Sequence, residues 1–218
     1  MQWLRAAQQA PQARAMCRWY AVTLAIAQVG WVLLAVVASQ GWDLTSAAFV
    51  FASMGLTFGM WWIYFAVPFG EILHHRRERS FVFGYGHILL FGAIAAVGAG
   101  LHIMAYYLEA HHDPEEFGWV HISQTGAVLA VAAPVMLFFI VLIATWRYLF
   151  RSNDRLHNVE FVLTIAVLAG AIALAAAHVS LAVCLLVIAL APAIVVVGFE
   201  LAGHESQQAA LERETRAA

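Results

Sequence analysis

The chain is dominated by apolar runs, each about as long as the hydrocarbon core of a membrane is thick. About 20 apolar residues are enough for one helical crossing. Hydrophobic residues make up 63% of the 218 residues and charged residues 11%, against about half and about a quarter in soluble domains. The sequence therefore predicts an all-α, polytopic transmembrane helical bundle with about six spans, forming a single membrane-embedded domain over residues 1–218. The predicted spans are 19–38, 47–67, 83–107, 123–148, 161–177 and 180–199.

Two of these runs allow a second interpretation. The first is long for the apolar part of a signal peptide, so an uncleaved span is favoured over a cleaved leader. From Phe161 to Phe199 the chain is almost wholly apolar over twice the length that one crossing needs, with a polar break near His178 and Ser180. A tight helical hairpin is the favoured interpretation. Because the break contains no Gly or Pro, one kinked span with a re-entrant piece remains the alternative.

The arginines predict the topology. Arg in short loops resists translocation, so cytoplasmic loops are rich in it. In the six-span arrangement every arginine lies on one side, whereas the opposite loops carry acidic residues and histidines. Both termini are therefore predicted to be cytoplasmic. The arginines are Arg5, Arg14, Arg18, Arg76, Arg77, Arg79, Arg147, Arg151, Arg155, Arg213 and Arg216.

The overall charge and the small residues bear on partners. A net charge of −2 gives no reason to expect nucleic acid. The expected partners are the lipid bilayer and either a second copy of the chain or another membrane protein.

Small residues every four positions predict close helix contacts in a membrane. Two such rows occur, Gly92, Ala96 and Gly100 on the third span and Ala169, Ala173 and Ala177 on the fifth.

Few ionisable side chains fall at membrane depth, where the cost of burial makes each one a functional candidate. His87 and His102 lie on the third span within about 60° of each other but about 22 Å apart along its axis. They cannot share a metal ion, yet histidine titrates near neutral pH, so a proton-linked role is chemically open. Plain hydrogen bonding to neighbouring helices is the competing interpretation.

Three glutamates lie at predicted cytoplasmic helix ends, namely Glu71, Glu160 and Glu200. An ion-pair layer at the membrane interface explains them without special function. A proton or cation entrance would use the same side chains. The resulting candidate polar pathway comprises Glu71, Tyr85, His87, His102, Glu160 and Glu200.

Motifs for covalent chemistry are missing from the sequence. It contains no nucleophile elbow, phosphate-binding glycine loop, paired CxxC or HExxH. The outer-loop group His111, His112 and Asp113 offers metal-ligand types, but adjacent histidines in a solvated loop are a weak signal. We therefore expect no enzyme, no cofactor and no metal.

Several blocks resemble one known family. They are LTFGMWWIYF at 56–65, RRERSF at 76–81, GYGH at 84–87, AAVGAGLH at 95–102, AVCLLV at 182–187 and ALAP at 189–192. Together they resemble the bacterial low-temperature-requirement A (LtrA) family from about Gln40 to His204. The resemblance implies an integral protein of the bacterial inner membrane that is associated with growth in the cold.

The chain also departs from the pattern of that family. Family members look about twice as long, with an acidic-aromatic first span and a middle helix of the type ERxGL…LGE, and neither is present here. The resemblance is mainly to the carboxyl-terminal half, which implies a shortened member in which a site using the missing glutamate would be incomplete. The preferred functional hypothesis is transport or permeation of a small solute or proton. The alternative is a non-transporting scaffold or a cold- or stress-related accessory protein.

Overall fold

The computed structural model describes residues 44–112, 115, 121–151 and 154–216. The predicted span at 19–38 lies outside the described residues. The chain divides into two compact units, Met1–Val50 and Phe51–Ala218. Of the first unit, only the beginning of one helix is described, over residues 44–50. The architecture below is that of the second unit.

The described residues form helices and turns, with no strand among them. The prediction of an all-α fold is therefore confirmed. In chain order the elements are α1 (Leu44–Ala66), α2 (Phe69–His75), a 3₁₀ turn (Arg77–Arg79), α3 (Ser80–His112), α4 (Gln124–Phe150), α5 (Arg155–Ala176), α6 (Leu181–Gly198), a π-helical turn (Phe199–Gly203) and α7 (His204–Arg216).

Five helical stretches in the described part of the chain are long and apolar enough to cross a membrane. Each overlaps one of the five predicted spans at 47–67, 83–107, 123–148, 161–177 and 180–199, and the first and the last extend well beyond the predicted bounds. The five stretches are Thr45–His75, Arg77–His111, Gln124–Phe150, Arg155–Ala176 and Leu181–Glu214.

Local hydrogen bonds explain where several helices begin. The Ser123 hydroxyl accepts the backbone N–H of Gly126 at 3.1 Å at the start of α4, and Asp154 accepts that of Leu156 at 3.4 Å at the start of α5. Both residues satisfy amides that lack a partner within the helix.

The long apolar stretch contains two helices separated by a turn at residues 177–180, as the hairpin interpretation expects. Its turn uses His178 in the left-handed region, with φ 58°, in place of a glycine. The side-chain amide of Gln124 donates to the Val179 carbonyl. This bond joins the turn to the beginning of α4.

Helix α4 is the centre of the described bundle and packs against α3, α5 and α6. On α3 the buried face contains Ala93, Val97, Gly100 and Met104, which follow helical spacing. A Cβ added at Gly100 would overlap the backbone carbonyl of Ala130, so the two helices touch there through their main chains.

The two predicted rows of small residues are therefore mostly wrong. Gly100 lies in a close contact, but Gly92 has no atom within 4 Å of an added Cβ, and Ala96 is exposed. The row on α5 is also exposed, because the buried face of that helix runs through Thr164, Leu168, Ala171 and Ala175 instead. Strict four-residue spacing drifts around a helix of 3.6 residues per turn, so it does not stay on one buried face.

The outer surface of the helices carries large apolar side chains. A patch of this kind is unfavourable in water and is stable against lipid. Together with the five apolar helices, it identifies the protein as an integral membrane protein. Among these exposed side chains are Phe58, Phe81, Ile88, Phe91, Val162, Leu163, Leu190 and Leu201.

The segment from Glu71 to Arg79 joins the predicted spans 47–67 and 83–107 and is largely helical. Residues 69–75 are helical, and Arg79 is only 4% exposed. Its guanidinium pairs with Glu214 of α7 at 2.8 Å and donates to the Leu149 carbonyl at the end of α4. The buried face of α7 packs over this end of the bundle through Gln207, Ala210 and Glu214.

These contacts gather the described arginine segments at one end of the second unit. Arg76 and Arg79 both reach Glu214, and Arg147 at the end of α4 donates to Asn158 at the start of α5. We call this the arginine end. Its location on the cytoplasmic side stays a prediction.

Candidate functional site

A cavity of about 70 Å³ lies between α1, α4, α5 and α6, close to the arginine end. Its walls are mainly apolar, and its volume suits about two water molecules or a small ion. The helices contribute to it near their ends, because α1 and α4 finish at this end of the bundle and α5 begins there. The lining residues are Trp62, Ile63, Ala66, Val67, Phe139, Leu142, Ile143, Trp146, His157, Glu160, Phe161, Thr164, Val195, Val196 and Phe199.

Three polar atoms of residues that line this cavity have no hydrogen-bond partner within the described part of the chain. They are the Glu160 Oε1, the Thr164 Oγ1 and the Trp146 Nε1. Glu160 is 6% exposed and Thr164 is fully buried. Buried polar groups in proteins nearly always form hydrogen bonds. Three unpaired polar groups around one cavity therefore indicate a site suited to a polar ligand.

The backbone of α6 passes directly over the Glu160 carboxylate. A Cβ added at Gly198 would overlap Glu160 Oε1 and lie 3.2 Å from its Cδ. A glycine is therefore needed for the carboxylate to occupy this position. The helix changes to a π-helical turn at the next residue, Phe199, and such turns recur at functional sites.

A second close approach, between α1 and α6, lies near the cavity. A Cβ on Gly59 of α1 would lie 2.8 Å from the Pro192 Cβ of α6. The absence of a side chain at Gly59 thus lets α1 approach the proline of α6. This contact positions the end of α1, which carries Trp62 and Ile63, beside the cavity.

Helix α5 presents a row of polar side chains toward the cavity. Asp154, His157, Glu160 and Thr164 recur at the spacing of one helical face. His157 stacks on the Trp146 ring, with centroids 4.8 Å apart and planes at 16°. Its Nδ1 lies 3.3 Å from Asp154 Oδ2. The row therefore extends from the beginning of α5 into the cavity.

Asp154 lies outside the apolar part of the helix. Partial burial alone would raise the pKa of its carboxyl, but hydrogen bonds from Leu156 N–H, the Ser206 hydroxyl and His157 outweigh burial, with a further contribution from the charge of His157. The net pKa of Asp154 lies below its ordinary value. Its charged form is therefore favoured in the folded protein.

We predict a pH-dependent contribution of Asp154 to stability. Because its folded-state pKa is lowered, the stabilisation is fully present above the unfolded pKa of about 3.9 and is lost as pH falls through the folded pKa. Asp154→Asn, which retains the cap, should cost about 0.5 kcal/mol at neutral pH through the lost helix-terminus charge, and Asp154→Ala about 1 kcal/mol. Thermal unfolding in detergent across a pH series measures both. An Asp154→Asn deficit that persists below the folded-state pKa would contradict the assignment.

The structure separates the six residues of the predicted pathway. Glu160 lines the cavity. Glu200 is exposed, and one of its oxygens accepts a hydrogen bond from Trp62 Nε1 at 3.4 Å, so it lies beside a residue of the cavity wall. Glu71 is exposed on α2 and does not line the cavity.

The three pathway candidates on α3 lie elsewhere. Tyr85 is 61% exposed, and His102 is exposed farther along the helix. His87 is partly buried, where it makes a 2.6 Å hydrogen bond with the Tyr64 hydroxyl and a 2.7 Å one with the Phe83 carbonyl. A carbonyl only accepts, so His87 Nδ1–H donates to Phe83 and Nε2 accepts from Tyr64. Their part in a pathway stays a prediction.

Sequence reasoning missed three residues that line the cavity, Trp146, His157 and Thr164, and it missed Gly198, which packs on the Glu160 carboxylate. The sequence could have indicated His157 and Thr164, because their helical spacing places both on the same face as Glu160. No signal in the sequence places Gly198 or Trp146 beside Glu160, because these contacts join different helices. Within the described part of the chain the Glu160 Oε1 has no hydrogen-bond partner, and the ion-pair interpretation of this residue stays a prediction.

Metal-ligand groups are not assembled in the described part of the chain, where no cluster of three or more His, Cys, Asp or Glu side chains suits a metal ion. Asp113 of the outer-loop candidate lies outside the described residues.

Comparison with known proteins gave one match. The family model described as bacterial low temperature requirement A protein (LtrA) matches residues 33–192, which is most of the chain. Comparisons with curated proteins and with solved structures found no significant match.

Proposed function

Because the chain belongs to the bacterial low temperature requirement A (LtrA) family, we propose that it is a transport or permeation protein of the bacterial inner membrane, which moves a small polar solute or a proton. The single observation that carries this proposal is Glu160. Its carboxylate is buried in an apolar bundle, one of its oxygens has no hydrogen-bond partner among the described residues, and the side chain lines a cavity. The proposed activity involves no covalent chemistry.

The energetic argument begins with the cost of burying charge. An ionised carboxylate in an apolar site is unstable unless a proton or a cationic group neutralises it. No arginine pairs with Glu160 among the described residues, although several lie at the same end of the bundle. We infer that the neutralising species is a proton or a cation that comes from solution, which would make Glu160 a binding group for a mobile species.

The surroundings of Glu160 suit reversible occupancy. The Thr164 hydroxyl and the Trp146 indole N–H offer a donor and acceptor set next to the carboxylate, with apolar walls around them. A species that binds too tightly is not released. A single carboxylate flanked by a neutral hydroxyl and an indole N–H therefore suits transport better than a site with several charged ligands. Movement of α6 at Gly198 would alter access to the carboxylate directly, because the two are in contact.

The test is flux through purified protein in liposomes. Wild type should move protons or a small polar solute, and Glu160→Gln should lower that flux by about tenfold or more. Glu212→Gln is the matched control, since Glu212 lies on the exposed surface of α7 with its carboxylate paired to Arg216. Unchanged flux in folded Glu160→Gln, or no flux of any kind in wild type, would contradict the proposal.

A second candidate function is a non-transporting scaffold or a cold- or stress-related accessory protein. The observation that favours it is the exposure of Tyr85 and His102 on an otherwise apolar surface. Polar groups facing lipid are costly, and contact with a second copy or another membrane protein would satisfy them. A photo-crosslinker at position 85 should then capture one defined membrane partner in cells. Labelling of lipid alone would contradict this alternative.

A further inference from the structure

The polar row on α5 connects the solution to the buried carboxylate. Asp154 precedes the apolar part of the helix, Glu160 lies inside the cavity, and His157 lies between them in the chain. The His157 side chain is 20% exposed and also lines the cavity. It is therefore the residue of this row that meets both environments.

We propose that His157 carries protons between the solution at the arginine end and Glu160, so that the species moved is the proton. This inference rests on the proposed function and specifies its substrate and point of entry. The spacing of three residues along α5 places the imidazole one turn from the Glu160 carboxyl. A transfer through a water molecule fits the cavity of about 70 Å³.

The proton transfer balances as follows. His157 holds one hydrogen on Nδ1, directed at the Asp154 carboxylate 3.3 Å away, which leaves Nε2 as the exchanging nitrogen. A hydronium ion in solution gives a proton to Nε2 and becomes water, and His157 becomes an imidazolium. The Nε2–H bond then breaks as an O–H bond forms on Glu160, either directly or through water. His157 returns to its starting tautomer, so no ring rotation is required.

The groups around His157 suit a transient positive charge. The Asp154 carboxylate attracts it from the start of the same helix, and Arg147 of α4 opposes it. The Trp146 ring stacks on the imidazole from α4, and the face of an indole attracts a cation. Glu160 lies on the cavity side. Asp154 and Trp146 stabilise the imidazolium form of His157, and Arg147 destabilises it. The two effects oppose each other, so His157 can both gain and lose the proton.

The cavity argues for the proton over a metal cation. A metal ion requires several oxygen or nitrogen ligands. The described part of the chain offers one carboxylate with a hydroxyl here and no group of three ionisable ligands. A proton needs a single acceptor, which Glu160 provides.

The experiment measures proton flux in liposomes with an entrapped pH-sensitive dye. His157→Phe keeps a ring to stack on Trp146 but cannot exchange a proton, and should lower the flux by about tenfold or more. His74→Phe is the matched control, because His74 is exposed on α2 and lies outside the cavity. Its flux should equal that of wild type.

Chemical rescue separates proton transfer from packing. His157→Ala should lose flux and regain most of it when imidazole is added to the buffer, because a diffusible base can occupy the vacated space. Glu160→Gln should not respond to imidazole. A loss of flux in His157→Ala without rescue would assign the residue a packing role and overturn the inference.

The remaining outcomes distinguish this inference from the proposed function. Wild-type proton flux in both His157 variants would overturn the relay while leaving Glu160-dependent transport standing. If wild type moves a solute but no protons, the relay through His157 is likewise overturned, and the proposed transport function still stands. If wild type moves neither protons nor a solute, both proposals fail.

Discussion

Gly100→Leu is expected to separate α3 from α4 and to lower the stability of the protein by about 3 kcal/mol or more. A single carbon added at this position would already overlap the Ala130 carbonyl, and it would lie 2.7 Å from the carbonyl carbon and 3.0 Å from the Val131 nitrogen. All three are backbone atoms of α4, so no side chain can rotate to relieve the overlap. The two helices would have to move apart along their most extensive contact.

Gly92→Leu is the matched control for this prediction. It lies on the same helix, makes the same chemical change and has nothing within 4 Å of an added Cβ. Thermal unfolding in detergent, followed by size-exclusion chromatography of the surviving protein, compares the two variants. Equal stability of Gly100→Leu and Gly92→Leu would show that α3 and α4 do not pack as described.

The second large effect is expected at the ion pair between Arg79 and Glu214. Glu214→Ala should lower stability by about 3 kcal/mol, because it leaves a buried guanidinium without its main counter-charge. Arg79 is 4% exposed, and Glu78 at 3.8 Å is its other acidic neighbour in the described part of the chain. Arg76 would lose the same partner, which lies 3.3 Å away.

Glu212→Ala on the same helix provides the comparison. Its pair with Arg216 is exposed on both sides, with the two side chains 64% and 80% accessible, so its loss should cost less than about 1 kcal/mol. The double variant Arg79→Met with Glu214→Leu should recover much of the stability, since matched apolar side chains can replace a buried pair. Unfolding midpoints of Arg79→Met, Glu214→Leu and the double variant form a double-mutant cycle. Equal costs for Glu214→Ala and Glu212→Ala would refute the buried pair.

Helix α7 links this stability argument to the site. Its buried face joins the ends of other helices: Gln207 donates to the Ala66 carbonyl at the end of α1 at 3.0 Å, and Ser206 bonds to Asp154 at the start of α5. Glu214 reaches Arg79 on the way into α3. The carboxyl-terminal helix thus fixes the helix ends that surround the cavity. Variants on the buried face of this helix, at Gln207 or Glu214, should affect both stability and access to Glu160, whereas variants on its exposed face, such as those at Glu212, should not.

Much of this protein follows from the order of its residues. Apolar runs of bilayer length have to form helices in lipid, because only a helix satisfies its own backbone groups without water. Apolar helices of membrane length that overlap 47–67, 83–107, 123–148, 161–177 and 180–199 could therefore be predicted, as could the LtrA family from its blocks. The polar break near His178 marked the turn between α5 and α6, and helical periodicity already aligned His157, Glu160 and Thr164.

Other features were decided only by the packing of one helix on another. Which face of a helix is buried depends on its neighbours, so the rows of small residues predicted the contact at Gly100 and failed at Gly92 and Ala169. The sequence offered six polar candidates and favoured those on the third span, and only the folded bundle separates the buried Glu160 from the exposed Tyr85, His102, Glu71 and Glu200. The burial of Arg79 depends on Glu214, far away in the chain. The physical reason is that burial and charge pairing arise between segments distant in sequence, whereas helix formation in lipid is settled within each segment.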